Sequence, residues 1–296
     1  MSVMTARRRV MRVDFGNRDS DGPGLAIGST TPTGQGRADD LTVEAPLNLV
    51  VGDEVIATLM RTPGHDVELA AGWLVVESGV RSAEDLVGLR QCRTEDDLAT
   101  RAVDAGTGRG VDQVHVVLAE GVSPPQPRAW ITGTSCGVCS ADIIDLSPLH
   151  WAAPNTADWH IDASVLHQLP DALRQQQRVF ERTGSLHAAG LADASGELLV
   201  VREDVGRHNA VDKVTGWALL DQRLPATDLT LVVSGRVSFE IVQKAVASSV
   251  AAIAAVSAPS DLAVDLAREH GLVLAGMIRP GRMNIYAGED RVTGIG

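Results

Sequence analysis

The sequence predicts an α/β fold: a mixed or parallel sheet core with helices on both faces, and a smaller N-terminal α+β subdomain. Three observations carry that prediction. Residues 229–233 form a continuous apolar run, the pattern of a strand buried on both faces. A helical pattern at about 238–249, a short strand at 253–256, a helix at 260–270 and a strand at 272–278 follow it. Strand and helix alternating at this spacing are the signature of parallel crossover units. Upstream, two strands, a helix and a further strand give the α+β pattern of the smaller part.

The elements follow in order. Residues 1–40 are polar and turn-rich, and a loosely ordered arm is expected there because such a composition buries little apolar surface. Residues 47–51 and 54–59 flank Gly52-Asp53 and read as a hairpin. Thr62-Pro63 introduces a helix over 66–78, with Val67, Ala70, Ala71, Leu74 and Val75 expected on one face. Residues 114–118 form a strand, and the Pro-rich stretch 121–127 is the candidate boundary. The domains are therefore read as an arm at 1–40, an α+β part at 41–124 and a core at 125–296. In the core, 186–192 and 197–201 bracket Ser195-Gly196 as a second hairpin. A helix at 204–220 carries Val211, Val214 and Ala218 on one side. Pro280-Gly281 turns the 272–278 strand into a last one at 283–287.

Bulk composition narrows the function classes. The chain has 296 residues, 44% of them apolar, and a formal charge of -12. That acidity excludes a general nucleic-acid or anionic-membrane binder, although a local basic pocket for a small anion stays available. No charge-free apolar run approaches the roughly 18 residues of a membrane helix. Arg7-Arg8-Arg9 lacks the apolar stretch that an export signal needs after it, so a cytoplasmic location is expected.

Only three cysteines are present: Cys92, and the pair Cys136 and Cys139 in a Cys-x-x-Cys. A zinc site usually takes four N/S ligands, and no second cysteine pair exists here. The open alternatives are a reactive thiol, half of a zinc site completed by histidines, and an inert buried pair. A zinc deaminase needs His-x-Glu and Pro-Cys-x-x-Cys. Ser135 precedes Cys136, and Ala188-Ala189 follow His187, so that reading is demoted.

Three further segments carry chemistry. Residues 202–213 are dense in ionisable groups, and on a helix His208 and Asp212 are i,i+4 neighbours available as an imidazole–carboxylate pair. A capped helix with a salt-bridged exposed face is the plainer alternative. Ser234-Gly235-Arg236 joins a buried strand to a helix, where loop amides favour anions. Arg279 and Arg282 flank the Pro280-Gly281 turn, and arginine pairs can hold phosphates in bidentate fashion.

Together these segments resemble the FdhD/NarQ family of formate dehydrogenase accessory sulfurtransferases, from about Leu41 to the C-terminus. The resemblance rests on Thr62-Pro63-Gly64-His65-Asp66-Val67-Glu68, the Cys136-Gly137-Val138-Cys139 loop, Thr183 to Ala189, and Glu203 to Asn209. Lys213, Ser234-Gly235-Arg236 with Glu240 and Gln243-Lys244, and Arg279-Pro280-Gly281-Arg282 add to it. It implies a cytidine-deaminase-like core, usually in a homodimer, and a sulfur relay. A cysteine desulfurase would load a persulfide on Cys136, with Cys139 as its partner. The sulfur would pass to the molybdenum bis-molybdopterin guanine dinucleotide cofactor, carried as cargo, before its insertion into the formate dehydrogenase catalytic subunit. Met277, Ile278, Arg279, Pro280, Gly281 and Arg282 would hold the guanine-nucleotide end. His208 and Arg236 would line the pocket, and no structural metal is expected.

Overall fold

A computed structural model describes residues 4–14, 33–92, 111–125 and 159–295, together with the backbone of 131–132. Cys136 and Cys139 lie outside the described residues. The N-terminal part is a five-stranded sheet in the order β5-β6-β3-β4-β7. Its strands are β3 (Ala45–Val51), β4 (Glu54–Arg61), β5 (Leu86–Cys92), β6 (Asp112–Leu118) and β7 (Ile131–Thr132). The hairpin of β3 and β4 is the expected one. β5 was not anticipated, and β7 pairs back onto β4 from beyond the 124/125 boundary.

The core is a six-stranded sheet in the order β10-β9-β11-β12-β13-β14. It comprises β9 (His187–Ala192), β10 (Leu198–Asp204), β11 (Thr230–Val233), β12 (Ala252–Ala255), β13 (Val273–Arg279) and β14 (Arg282–Ala287). β11, β12 and β13 are parallel, with α5 (Phe239–Ala247) and α6 (Asp261–Glu269) as the crossovers, and the outer pairs are antiparallel. Helices cover both faces. α2 (Ala163–Gln176) lays Leu166, Leu169 and Leu173 on Ala188, Val232, Ala254 and Ala275. On the opposite face, Ala189, Leu231, Val233, Ile253 and Leu274 join a larger core with α4 (Arg207–Leu220), α5 and α6. α3 (Arg178–Thr183) and the paired β8 (Ile161–Asp162) and β15 (Val292–Thr293) complete the part.

That larger core also takes in Leu47, Leu49, Val114 and Val116 of the first sheet, so both sheets share one apolar interior. Between them lie α1 (Asp66–Glu77) and α4, which cross at Gly72 and Gly216. A Cβ on Gly72 would fall 1.8 Å from the carbonyl oxygen of Asp212, and one on Gly216 would fall 1.8 Å from that of Glu68. Neither helix is amphipathic in the expected way: α1 is buried from Leu69 to Val76 without a break, and α4 from Ala210 to Gly216. A helix sandwiched between two sheets has no face left for water.

The arm differs most from expectation. β1 (Thr5–Asp14) pairs antiparallel with β2 (Thr33–Thr42) over ten residue pairs. Main-chain hydrogen bonding organises this ribbon with little apolar burial, which is why its composition did not announce it. Its root is tied down: Thr42 Oγ1 lies 2.6 Å from Ser185 Oγ, and Arg182 reaches Asp40 at 2.8 Å.

Candidate functional site

The charged motifs fold inward and interlock. Thr62 N–H donates to Asp204 Oδ2, and Thr62 Oγ1 accepts from Val205 N–H. Lys213 Nζ donates to Asp204 Oδ2 at 2.7 Å and to the carbonyl of Thr62, with both charged side chains fully buried. Asn209 bridges Asp204 Oδ1 and the Met60 carbonyl. Close by, Arg61 forms a two-point bond to Asp66 and reaches Asp112, and Gln91 donates to Asp66. The run 202–213 is therefore no salt-bridged exposed face. It is a buried clamp between the halves of the chain.

The His208–Asp212 pair that the i,i+4 spacing made available does not form. His208 Nε2 meets Glu240 Oε2 of α5 at 2.8 Å, and Asp212 takes Lys244 Nζ at 2.6 Å. The i,i+4 spacing allowed the pair, but α5 packs against α4 and supplies a better partner to each. The hydrogen bond from His208 holds the Glu240 carboxyl below its ordinary range against the effect of its burial. Burial raises Asp212, in opposition to Lys244. On α1, burial of Glu68 is outweighed by the hydrogen bonds from Arg202 and His65, and its pKa falls to about 2.

Beyond the C-terminal ends of β11 and β13 opens a cavity of about 580 Å³. The carboxyl edge of an open parallel sheet is where ligands collect. Three of the motifs singled out above meet there: Gly184 to His187, Ser234, and Ile278 to Pro280. Each is placed by a local device. Gly184 ends α3 in the left-handed conformation (φ 68°), which turns Ser185 and His187 onto the rim. Ser234 Oγ accepts from Ala188 N–H, tying the β11 loop to β9. Met277 (φ 53°) sits in a bulge between β13 and β14, and His167 Nε2 meets the Arg279 carbonyl at 2.8 Å. The Arg279 guanidinium is turned back onto the carbonyls of Val256 and Ile278. Arg282 stands exposed on the turn.

Three wall residues carried no usable signal in the sequence. His167 is one. Arg174 stacks over the Phe180 ring at 4.7 Å from its centroid, and both line the cavity. Glu203 holds this wall in place by accepting from Val179 N–H and Phe180 N–H, the open donors of α3. A Glu that accepts from helix donors 23 and 24 residues upstream leaves no local pattern.

His187 lines the cavity as well. Burial lowers its pKa, and Arg207, His208 and Arg236 push it the same way. Gly235 makes this crowding feasible: a Cβ there would lie 3.2 Å from His187 Nδ1 and 3.9 Å from Arg207 Cβ. Arg207 Nε is buried with no hydrogen-bond partner among the described residues. Cys92, at the end of β5, is a free, half-buried thiol. Among the described residues no three His, Cys, Asp or Glu side chains converge as a metal site. No helix among them is long and apolar enough to cross a membrane.

Comparison with known proteins places this architecture. The chain is 42% identical over 294 residues to the sulfur carrier protein FdhD of Nocardia farcinica, covering 99% of this chain and 96% of that one. It is 44% identical over 297 residues to that of Streptomyces coelicolor, covering 99% and 97%. To that of Sulfolobus acidocaldarius it is 35% identical over 254 residues, covering 86% and 91%. The crystal structure of a putative formate dehydrogenase accessory protein from Desulfotalea psychrophila shares the fold. The TM-score is 0.70 at 21% identity, over 98% of this chain and all of that one. The model of the FdhD/NarQ family matches residues 42–293, and the chain belongs to that family.

Proposed function

We propose that this chain is a sulfurtransferase of the formate dehydrogenase pathway. Cys136 carries sulfur as a persulfide, and the cavity beside His187 holds the cargo that receives it. The observation that supports this best is the meeting of three separate sequence motifs around one cavity, in a chain whose relatives are named sulfur carriers. At about 580 Å³ the cavity is in the range of small-molecule and cofactor sites.

In the loading step, the Cys136 thiolate attacks the terminal sulfur of a donor persulfide on a cysteine desulfurase. One S–S bond forms, the donor S–S bond breaks, and the donor cysteine leaves as a thiolate. The cargo is the molybdenum bis-molybdopterin guanine dinucleotide cofactor, with its guanine-nucleotide end on Met277 to Arg282. The sulfurated cofactor then goes to the formate dehydrogenase catalytic subunit. A cytoplasmic homodimer with a cytidine-deaminase-like core completes this reading.

The test is intact mass after incubation with a cysteine desulfurase and free cysteine. An adduct of about 32 Da, one reducible sulfur atom, is expected on the wild type and is absent from Cys136→Ala. If Cys139→Ala abolishes loading and Cys136→Ala does not, the carrier is the other cysteine. If neither cysteine gains mass, the reading fails.

A further inference from the structure

Among the described residues, the ribbon of β1 and β2 is a sheet of two strands and no more. At about 3.4 Å per residue its ten pairs make it about 34 Å long. A two-stranded ribbon alone is marginal in water, and a third strand is what commonly makes such a unit stable. In an antiparallel pair each strand also turns alternate N–H and C=O groups away from its partner. Both long edges are therefore open to a further strand among the described residues, and most of the ribbon's side chains are exposed.

The two strands differ in free charge. β1 carries Arg7, Arg8, Arg9 and Arg12. On β2, Asp39 is taken by Arg37 at 2.9 Å and Asp40 by Arg182 at 2.8 Å. Arg8, Arg9 and Arg12 have no side-chain hydrogen bond or ion pair among the described residues. In a chain of net charge -12 this is a local excess of positive charge. Two large apolar side chains, Met11 and Val13, stand exposed next to it. They face Gly36 and Gly34 in the register, so no β2 side chain lies directly opposite to cover them.

We propose that the β1 edge is a docking strand for an acidic, extended segment of another protein, which joins the ribbon as its third strand. The main chain supplies the hydrogen-bond ladder, and the arginines select the charge of the incoming strand. The occupant is not a second β1. Two copies paired in parallel register, or antiparallel about Arg8, set arginine against arginine, and like charges directly opposite destabilise a strand pair. A phosphate-rich surface fits less well, because phosphates accept from N–H groups but donate nothing to the C=O groups between them. This docking does not rest on the sulfur-transfer reading, yet it stands within reach of the cavity. Thr42, at the root of the ribbon, meets Ser185, and Ser185 lines the cavity.

The experiment uses the full chain and, as probe, a peptide of β1's length that alternates glutamate with valine, followed by amide NMR. Saturable binding is expected, with slowed hydrogen exchange at the β1 amides that face away from β2. Arg9→Glu combined with Arg12→Glu is expected to weaken binding about tenfold, and Arg9→Lys with Arg12→Lys to leave it within about twofold. The same peptide N-methylated at alternate residues, which blocks the ladder, is expected not to bind.

A glutamate peptide that does not bind overturns the docking strand. Equal binding of the N-methylated peptide overturns strand addition, and equal binding of a lysine–valine peptide overturns the charge selection. Undiminished binding to the double glutamate variant, with its cross-strand β1–β2 amides still protected, puts the site elsewhere and overturns the assignment to β1. Phosphatidylglycerol vesicles that bind while the peptide does not would replace it with a membrane contact. Sulfur loading of Cys136 is read separately by mass and decides none of these outcomes.

Discussion

Along the contact between α1 and α4, every buried charge described above meets an opposite charge: Arg61 with Asp66 and Asp112, Lys213 with Asp204, and Lys244 with Asp212. At the first residue of α4, by contrast, the buried Nε of Arg207 has no hydrogen-bond partner among the described residues. Both regions come from the same kind of sequence, short charged runs broken by glycine. The difference separates scaffold from site. A buried charge whose partners are complete is committed to holding the fold, and a buried donor left without a partner is not.

The seam should break hardest at its closest approach. Gly72→Ala places a Cβ against the Asp212 carbonyl, and backbone cannot yield there as a side-chain tip would. A loss of more than about 4 kcal/mol is expected, read as failure to give a cooperative urea transition. Next comes Lys213→Met, which leaves Asp204 buried without its cation. About 3 kcal/mol should be lost in the same measurement, the cost of breaking a buried pair from one side. A wild-type midpoint in that variant would place the clamp among the dispensable contacts.

Glu68 gives the comparison a pH axis. Its pKa in the folded chain is about 2, against an ordinary 4.5. A depressed carboxyl contributes stability that is fully present above its unfolded pKa and lost as pH falls toward the folded one. Glu68→Gln removes that contribution, so the gap between wild type and variant should narrow between about pH 5 and pH 2. A gap that widens on acidification contradicts the assignment. The smallest effect belongs to the start of α4. Arg207→Gln removes a guanidinium whose buried Nε has no hydrogen-bond partner among the described residues, and the unfolding midpoint should stay within about 0.5 kcal/mol of wild type or rise. A drop as large as that of Lys213→Met would erase the distinction between the two regions.

The parallel crossovers were legible because β11, α5, β12, α6 and β13 follow at short, regular spacing and each carries its period locally. The cavity motifs were legible as candidates for the same reason: Ser234-Gly235-Arg236 and Arg279-Pro280-Gly281-Arg282 are punctuated by turn residues. The geometry inside them was not. α1 and α4 read as one-sided because sequence alone does not say that a second sheet closes over the other side. His208 found Glu240, thirty-two residues away, instead of Asp212 on its own helix. Pro170 lies inside α2, and Gln175, Gln176 and Gln177 close it, so the helix that forms the outer wall of the cavity gave a weak signal. The arm was missed because ladder hydrogen bonds, unlike apolar burial, leave little trace in composition.

The approach of Gly72 to Gly216 also fixes what can be exchanged between this chain and its relatives. The two glycines come from opposite halves of the chain, yet each backbone is the other's packing surface. A chimaera that takes the first sheet from a relative at 44% identity and the second from this chain inherits two helices shaped for different partners. Such a hybrid is viable only when α1 and α4 travel together from one parent. The unit of recombination is therefore the helix pair, although its members lie about 140 positions apart along the chain.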